Sequence, residues 1–164
     1  MIRNLQYRGL SLVSRLIRWQ TRSIYSHTAI MFSDGMGIEA WQRPLPHGEV
    51  AGFDDPWERH TPGTQIDVFE IKPRLANRFD EEAARQFAIE QIGSHYDWRG
   101  VWRFVDRRPA EENGKWFCSE LVSAVCAAGG VQLLMRIPDS HVSPALIPLS
   151  RALRYAETIT GEKW

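Results

Sequence analysis

The sequence predicts an α+β fold built on an antiparallel sheet. Short β-prone runs separated by turn residues fill the first half of the chain, and helical periodicity governs segments before and after them. The resulting order of helix, strands, helix and helix is that of an α+β domain. A length of 164 residues suits one domain spanning 1–164. At this size about two-thirds of the unfolded surface can be buried, so no covalent staple is required.

The elements follow in order. Leu10, Leu12, Val13, Leu16 and Ile17 have helical spacing with arginines on the other face, which predicts a short amphipathic helix before residue 23. His27 to Phe32 reads as a strand, Ser33-Asp34-Gly35 as a turn, and Gly37 to Trp41 as the returning strand of a hairpin. Residues 42–63, rich in Pro, Gly and His, read as a long loop of the kind that often serves as a lid or binding loop. Gln65 to Ile71 is a further strand, ended by Pro73. Asp80 can cap a helix running to Ile92, with Ala84, Phe87, Ala88 and Ile92 as its buried stripe and Gly93 as its stop. Residues 94–115 are aromatic and charged, with a turn at Asn113-Gly114. Phe117 to Ala128 reads as a helix stopped by Gly129-Gly130, and a short helix around Leu149 to Tyr155 is expected near the end.

Net charge is zero, which removes the basic signature of a nucleic-acid binder. The charge is uneven, however. Arg3, Arg8, Arg15, Arg18 and Arg22 all precede the first acid, Asp34, and a local basic patch of this kind can meet phosphate or anionic lipid. Cys118 and Cys126 lie about 12 Å apart along one predicted helix, too far for a disulfide. Two unpaired thiols fit a reducing compartment, and no secretory signal or membrane-length apolar run is evident, so a cytoplasmic location is expected, with phage or leaderless export left open.

Cys118 falls in the first turn of its predicted helix. Free backbone N–H groups and the macrodipole favour a thiolate there, whereas Cys126 further along reads as a small core residue. A thiolate enzyme needs a base that works near neutral pH. Of the five histidines, His47, His60 and His141 fall in loops and are expected to be exposed, and His95 follows a helix end. His27 begins a strand, which holds an imidazole more firmly. A carboxylate would orient that imidazole, and Glu39 is the candidate. If Gly35 is left-handed in a three-residue loop, Phe32 pairs with Met36, and His27 and Glu39 become diagonal neighbours roughly 7–8 Å apart at Cα. A two-residue loop would place them on opposite faces. The backbone N–H of Cys118 is the natural oxyanion donor, with Tyr96 and His95 as candidates for a second. No HExxH, CxxC, Walker or GxGxxG pattern is present, so neither a metal nor a cofactor is expected.

Three segments, Ser26-His27-Thr28-Ala29-Ile30, Gly37-Ile38-Glu39-Ala40 and Trp116-Phe117-Cys118-Ser119-Glu120-Leu121-Val122, resemble the circularly permuted branch of the NlpC-type papain-like cysteine peptidases. Gly93 to Asp97, with Tyr96-Asp97, also looks like the segment before the nucleophile helix in that branch. The resemblance spans residues 9–127 and implies a permuted papain-like core with an antiparallel sheet packed on helices and the nucleophile at a helix N-terminus. It implies Cys118 as nucleophile, His27 as base and Glu39 as the orienting residue. Glu120 matches the motif too, and reads as stabilising the helix start. Family members cleave amide bonds in cell-wall peptides, and relatives similar to lecithin:retinol acyltransferase move acyl groups on lipids. The expectation is therefore a cysteine hydrolase acting on a peptide or lipid amide, with a lipid-directed acyl hydrolase or acyltransferase and a non-catalytic binding module as alternatives. The basic first helix adds a membrane surface as an expected partner.

Overall fold

In the computed structural model, residues 2–42, 47–98, 114–138 and 141–161 are described. Six strands form one sheet: β1 (Arg3–Arg8), β2 (His27–Met31), β3 (Gly37–Trp41), β4 (Glu49–Phe53), β5 (Gln65–Ile71) and β6 (Leu153–Thr160). Their order is β4-β3-β2-β1-β5-β6, and every ladder between neighbours is antiparallel. The helices are α1 (Leu12–Thr21), α2 (Pro73–Ala76, a single turn), α3 (Glu81–Glu90) and α4 (Cys118–Ala128). The molecule is thus α+β, as expected. No helix among the described residues is long and apolar enough to cross a membrane.

Strand alternation divides the core. Ile30 and Ile38 lie opposite one another and pack, with Phe117, Leu121, Val122 and Val125, in the larger cluster under α4. Leu5, Tyr7, Ala29, Phe53, Ile66 and Val68 form a second cluster. Ala29 and Ile30 are adjacent, so the two clusters occupy opposite sheet faces. α4 packs against β2 and β3, and α3 packs against α4. Asp80 caps α3 by accepting from the Ala83 N–H at 3.0 Å, and Ala84 and Ala88 are its buried residues.

The hairpin adopts the three-residue loop. The Phe32 N–H donates to the Met36 carbonyl at 2.9 Å, and Gly35 has φ of 92°. Met31 then pairs with Gly37 and Ile30 with Ile38, which sets Ala29 against Glu39. Gly37 is required by close approach, since the Phe53 ring fills the space its Cβ would take.

Four expectations are corrected. Residues 3–8, given no strand from sequence, form β1, which pairs with both β2 and β5 near the middle of the sheet. The stretch 42–63 is not one loop, because it contains β4; residues 43–46 lie outside the described set. The short helix expected around Leu149 to Tyr155 is a 3₁₀ turn at Ile147–Leu149 followed by β6, whose Tyr155, Thr158, Ile159 and Thr160 are strand formers. Ile92 is exposed beyond the end of α3 rather than part of its buried stripe. Most of the aromatic and charged stretch, residues 99–113, lies outside the described residues, including Asn113 of the expected turn.

One polar knot ties the chain ends to the sheet. The buried Asp67 carboxylate accepts from Arg8 through Nε at 3.0 Å and Nη2 at 2.6 Å, and from the Tyr25 hydroxyl at 2.7 Å. Its other oxygen accepts from Thr158 at 2.5 Å. Asp67 therefore joins β1, β5, β6 and the segment after α1. Burial disfavours its charge, but these donors outweigh it and hold the carboxyl below its ordinary value. Asp67→Ala should lower unfolding free energy by about 2–3 kcal/mol, the worth of charge-assisted bonds in a buried setting. Urea denaturation checks this, and an unchanged midpoint would refute it.

Candidate active site

His27 opens β2 and lies opposite Tyr7 of β1. Its Nε2 is 2.7 Å from Glu39 Oε2, and both side chains are buried. The loop geometry that made these two diagonal neighbours therefore holds, and their side chains close the gap. Trp41 meets the His27 ring edge-on at 5.5 Å between centroids, and Tyr7 lies tilted at 5.2 Å. Packing on these sides fixes the imidazole plane.

Cys118 is the first residue of α4, with Phe117 as N-cap, and it is a free, buried thiol. Its thiol acts electrostatically on the His27 imidazole and favours the protonated ring. With Nε2 committed to Glu39, Nδ1 is the ring nitrogen left to serve the thiol. Burial would push the His27 imidazole down, but Cys118 and Glu39 together outweigh burial and raise it to about 10. Burial would raise Glu39, but the hydrogen bond from His27 and the nearby His60 bring it down to about 2. At 3.8 Å the His60 contact is too long for a hydrogen bond, so His27 carries the greater share.

Tyr96 is buried in the described part of the segment before α4. Burial raises its phenol well above the ordinary value, and the charges of Cys118 and Asp97 add to this. Its hydroxyl thus keeps its proton close to the nucleophile. His95 is exposed, and its backbone carbonyl accepts from the Trp116 N–H. Of the two candidates for a second oxyanion donor, Tyr96 is buried and feels the charge of Cys118, whereas the His95 side chain is exposed. Cys126 is buried in the larger core cluster.

His47 and His141 are exposed, as expected. His60 is not. Its side chain is 7% exposed, stacks on Tyr7 at 3.9 Å between ring centroids and sits 5.4 Å from the His27 ring. The reason is Glu39, a buried carboxylate that needs compensation on more than one side. Arg59 supplies it, donating from Nη1 to Glu39 Oε1 at 3.2 Å and from Nη2 to the Gly52 carbonyl at 3.1 Å. Arg59 thereby pins the segment after β4 over the site and carries His60 with it. Burial lowers the His60 imidazole, so it is neutral at pH 7. No sequence spacing marked Arg59 or His60, because their partner lies 20 residues away across the sheet. The polar–apolar alternation from Asn4 to Arg8 would have revealed β1, and with it Tyr7.

A cavity of about 30 Å³ adjoins the site, lined by residues including Leu10, Ser14, His27, Trp41, Arg59 and His60. That is room for about one water molecule. His27, Glu39 and His60 could also hold a metal ion, since one ligand atom from each lies within 4.8 Å of the others. The histidines scattered in sequence are thus partly gathered by the fold. The two uses exclude each other at one atom: the Nε2 lone pair of His27 cannot bind a metal while that nitrogen donates its proton to Glu39.

No protein-family model matches the chain, and no curated protein matches it in sequence. In fold it is similar to the crystal structure of the metalloprotein YiiX from Escherichia coli O157:H7 (DUF1105). The TM-score is 0.58, with 16% sequence identity and 97% of each chain covered. At that identity the likeness concerns the fold alone.

The ionic states make a pH prediction. His27 is raised from 6.5 to about 10, so its stabilising contribution is complete below pH 6.5 and lost as pH rises through about 10. Glu39 is lowered from 4.5 to about 2, so its contribution is complete above pH 4.5 and lost as pH falls through about 2. Ring resonances of His27 should therefore report imidazolium across neutral pH, and Glu39→Gln should move their titration downward. A His27 ring neutral at pH 7 in the wild type would contradict this arrangement.

Proposed function

We propose that this chain is a cysteine hydrolase with a circularly permuted papain-like core, cleaving an amide or acyl bond through Cys118, His27 and Glu39. The observation that carries the reading is a buried imidazole bonded to a buried carboxylate, with a free thiol at a helix N-terminus acting on it electrostatically. That is the arrangement by which an activated thiol, its base and an orienting group act together.

The steps follow from the geometry. His27 already holds the proton released by the thiol, and Cys118 Sγ attacks the substrate carbonyl carbon, forming a C–S bond as the carbonyl electrons move to oxygen. The N–H groups at the start of α4 face that developing charge, and the Tyr96 hydroxyl is the side-chain donor best placed to join them. His27 Nδ1 passes its proton to the leaving nitrogen or oxygen as that atom's bond to carbon breaks, and a thioester remains. Water then gives a proton to His27 and attacks the thioester, the C–S bond breaks, and the sulfur leaves as thiolate beside the imidazolium, which restores the starting pair. Glu39 holds the imidazolium throughout. The substrate class proposed first is a peptide amide such as those of cell-wall peptides, which rests on the motif resemblance of Phe117 to Val122.

Cys118→Ala should abolish release of new amines from muropeptides while leaving the fold intact. In the wild type, a small alkylating reagent at pH 6 should label Cys118 faster than Cys126, and His27→Ala should slow that labelling about tenfold or more. Turnover by Cys118→Ala equal to wild type would sink the proposal.

One observation favours a second reading. His60 Nε2 is buried without a hydrogen-bond partner, 3.8 Å from Glu39 Oε2, and it belongs to a set of three gathered ligand atoms. The similar fold of YiiX is described as that of a metalloprotein. In this reading His27, Glu39 and His60 hold a divalent transition metal, which would supply a Lewis acid when bound. Purified protein should then retain metal by mass spectrometry and give a tetrahedral Co²⁺ absorption band, both lost in His60→Ala. Protein that takes up neither ion would remove this reading and leave the thiol reading untouched.

A further inference from the structure

We infer that α1 is an interfacial docking helix that seats this protein on an anionic phospholipid surface. In a helix that serves its own fold, the apolar stripe faces the core. In α1 that order is reversed. Leu12, Leu16 and Trp19, spaced to share one stripe, are 79%, 48% and 78% exposed. Among the α1 side chains that are described, the buried one is Ser14, whose hydroxyl and Cβ crowd Gly9 and which accepts from the Ser11 hydroxyl at 2.9 Å. Leu10 and Ile24 extend the exposed apolar surface past both helix ends. Among the described residues, no strand or helix makes an extensive contact with α1.

Charge specifies the occupant. Arg15, Arg18 and Arg22 flank the stripe, and among the described residues none is ion-paired; Arg18 donates only to the Gly9 carbonyl. The first turn carries no acid. An open groove of about 440 Å³ runs between Leu10 and Trp19 with Arg15 and Arg18 in its walls. Apolar walls with cationic sides suit a phospholipid, whose headgroup phosphate and upper acyl segment present the complementary chemistry. Trp19 is suited to the interface because its ring is apolar while its N–H is polar. Leu10 also lines the small cavity beside His27, so docking through this surface brings that cavity to the lipid boundary.

The test is co-sedimentation of the full chain with vesicles of phosphatidylcholine alone and of phosphatidylcholine mixed with phosphatidylglycerol. Wild type should bind only the mixed vesicles and weaken as salt is added. Leu12→Ser combined with Trp19→Ala should reduce partitioning at least tenfold, and Arg15→Glu with Arg22→Glu should abolish it. All four side chains are exposed, so thermal unfolding should be unchanged in these variants. Absence of binding to the mixed vesicles at low salt would overturn the inference, as would binding that neither pair of substitutions alters. A Trp19-dependent dimer in sedimentation velocity, without vesicle binding, would overturn it in favour of a second copy of the chain. Inorganic phosphate that competes as well as the vesicles would overturn it in favour of a free-anion site.

Discussion

A carboxylate with no access to water organises this molecule. Glu39 sits in the middle of β3, and an uncompensated charge there would cost several kcal/mol. It is instead bonded by His27 on one oxygen and by Arg59 on the other. Those two bonds determine much around them. The first fixes the imidazole and leaves its other nitrogen uncommitted to Glu39. The second folds the segment after β4 back over the sheet, which buries His60 against Tyr7 and narrows the cavity at His27. The same charge therefore sets both the chemistry and the enclosure of the site.

Legibility in the sequence follows the range of the interaction. The hairpin register was readable because Ser33-Asp34-Gly35 is local and Gly35 alone decides the loop length. The start of α4 and the cap of α3 were readable for the same reason, each resting on residues within one turn. β4 escaped because Glu49-Val50-Ala51-Gly52-Phe53 has a glycine inside it and few β-branched residues, and it forms by long-range pairing with β3 on one edge and with residues 93–95 on the other. β6 was hidden by the proline-broken stretch before it, and it forms by pairing with β5 across 80 residues and more of chain. His60 is the instructive case. Loop residues rich in Pro, Gly and His read as exposed, and only the buried charge across the sheet explains why this one is not.

The enclosure has a chemical consequence. Cys118 is 3% exposed, and the imidazole is packed on three sides by Tyr7, Trp41 and His60. Excluding water strengthens every electrostatic contact within the site, which is why His27 and Glu39 depart so far from their ordinary values in opposite directions. The same exclusion limits what reaches the thiol. Among the described residues, the cavity bordered by Leu10 and Ser14 opens beside His27 and is sized for about one water. Movement of the Arg59–His60 segment would widen it, at the cost of one charge-assisted bond to Glu39.

α1 gives that route a direction. A helix whose serine points inward and whose leucines and tryptophan point outward gains nothing from its own fold by that arrangement. The cost of the exposed apolar surface is recovered only where another apolar phase covers it. Because Leu10 belongs both to the outward surface and to the wall of the cavity beside His27, a surface that covers α1 also meets the cavity mouth. Leu10 therefore joins the two: a phase that received the Leu12–Trp19 stripe would also lie against the cavity beside His27.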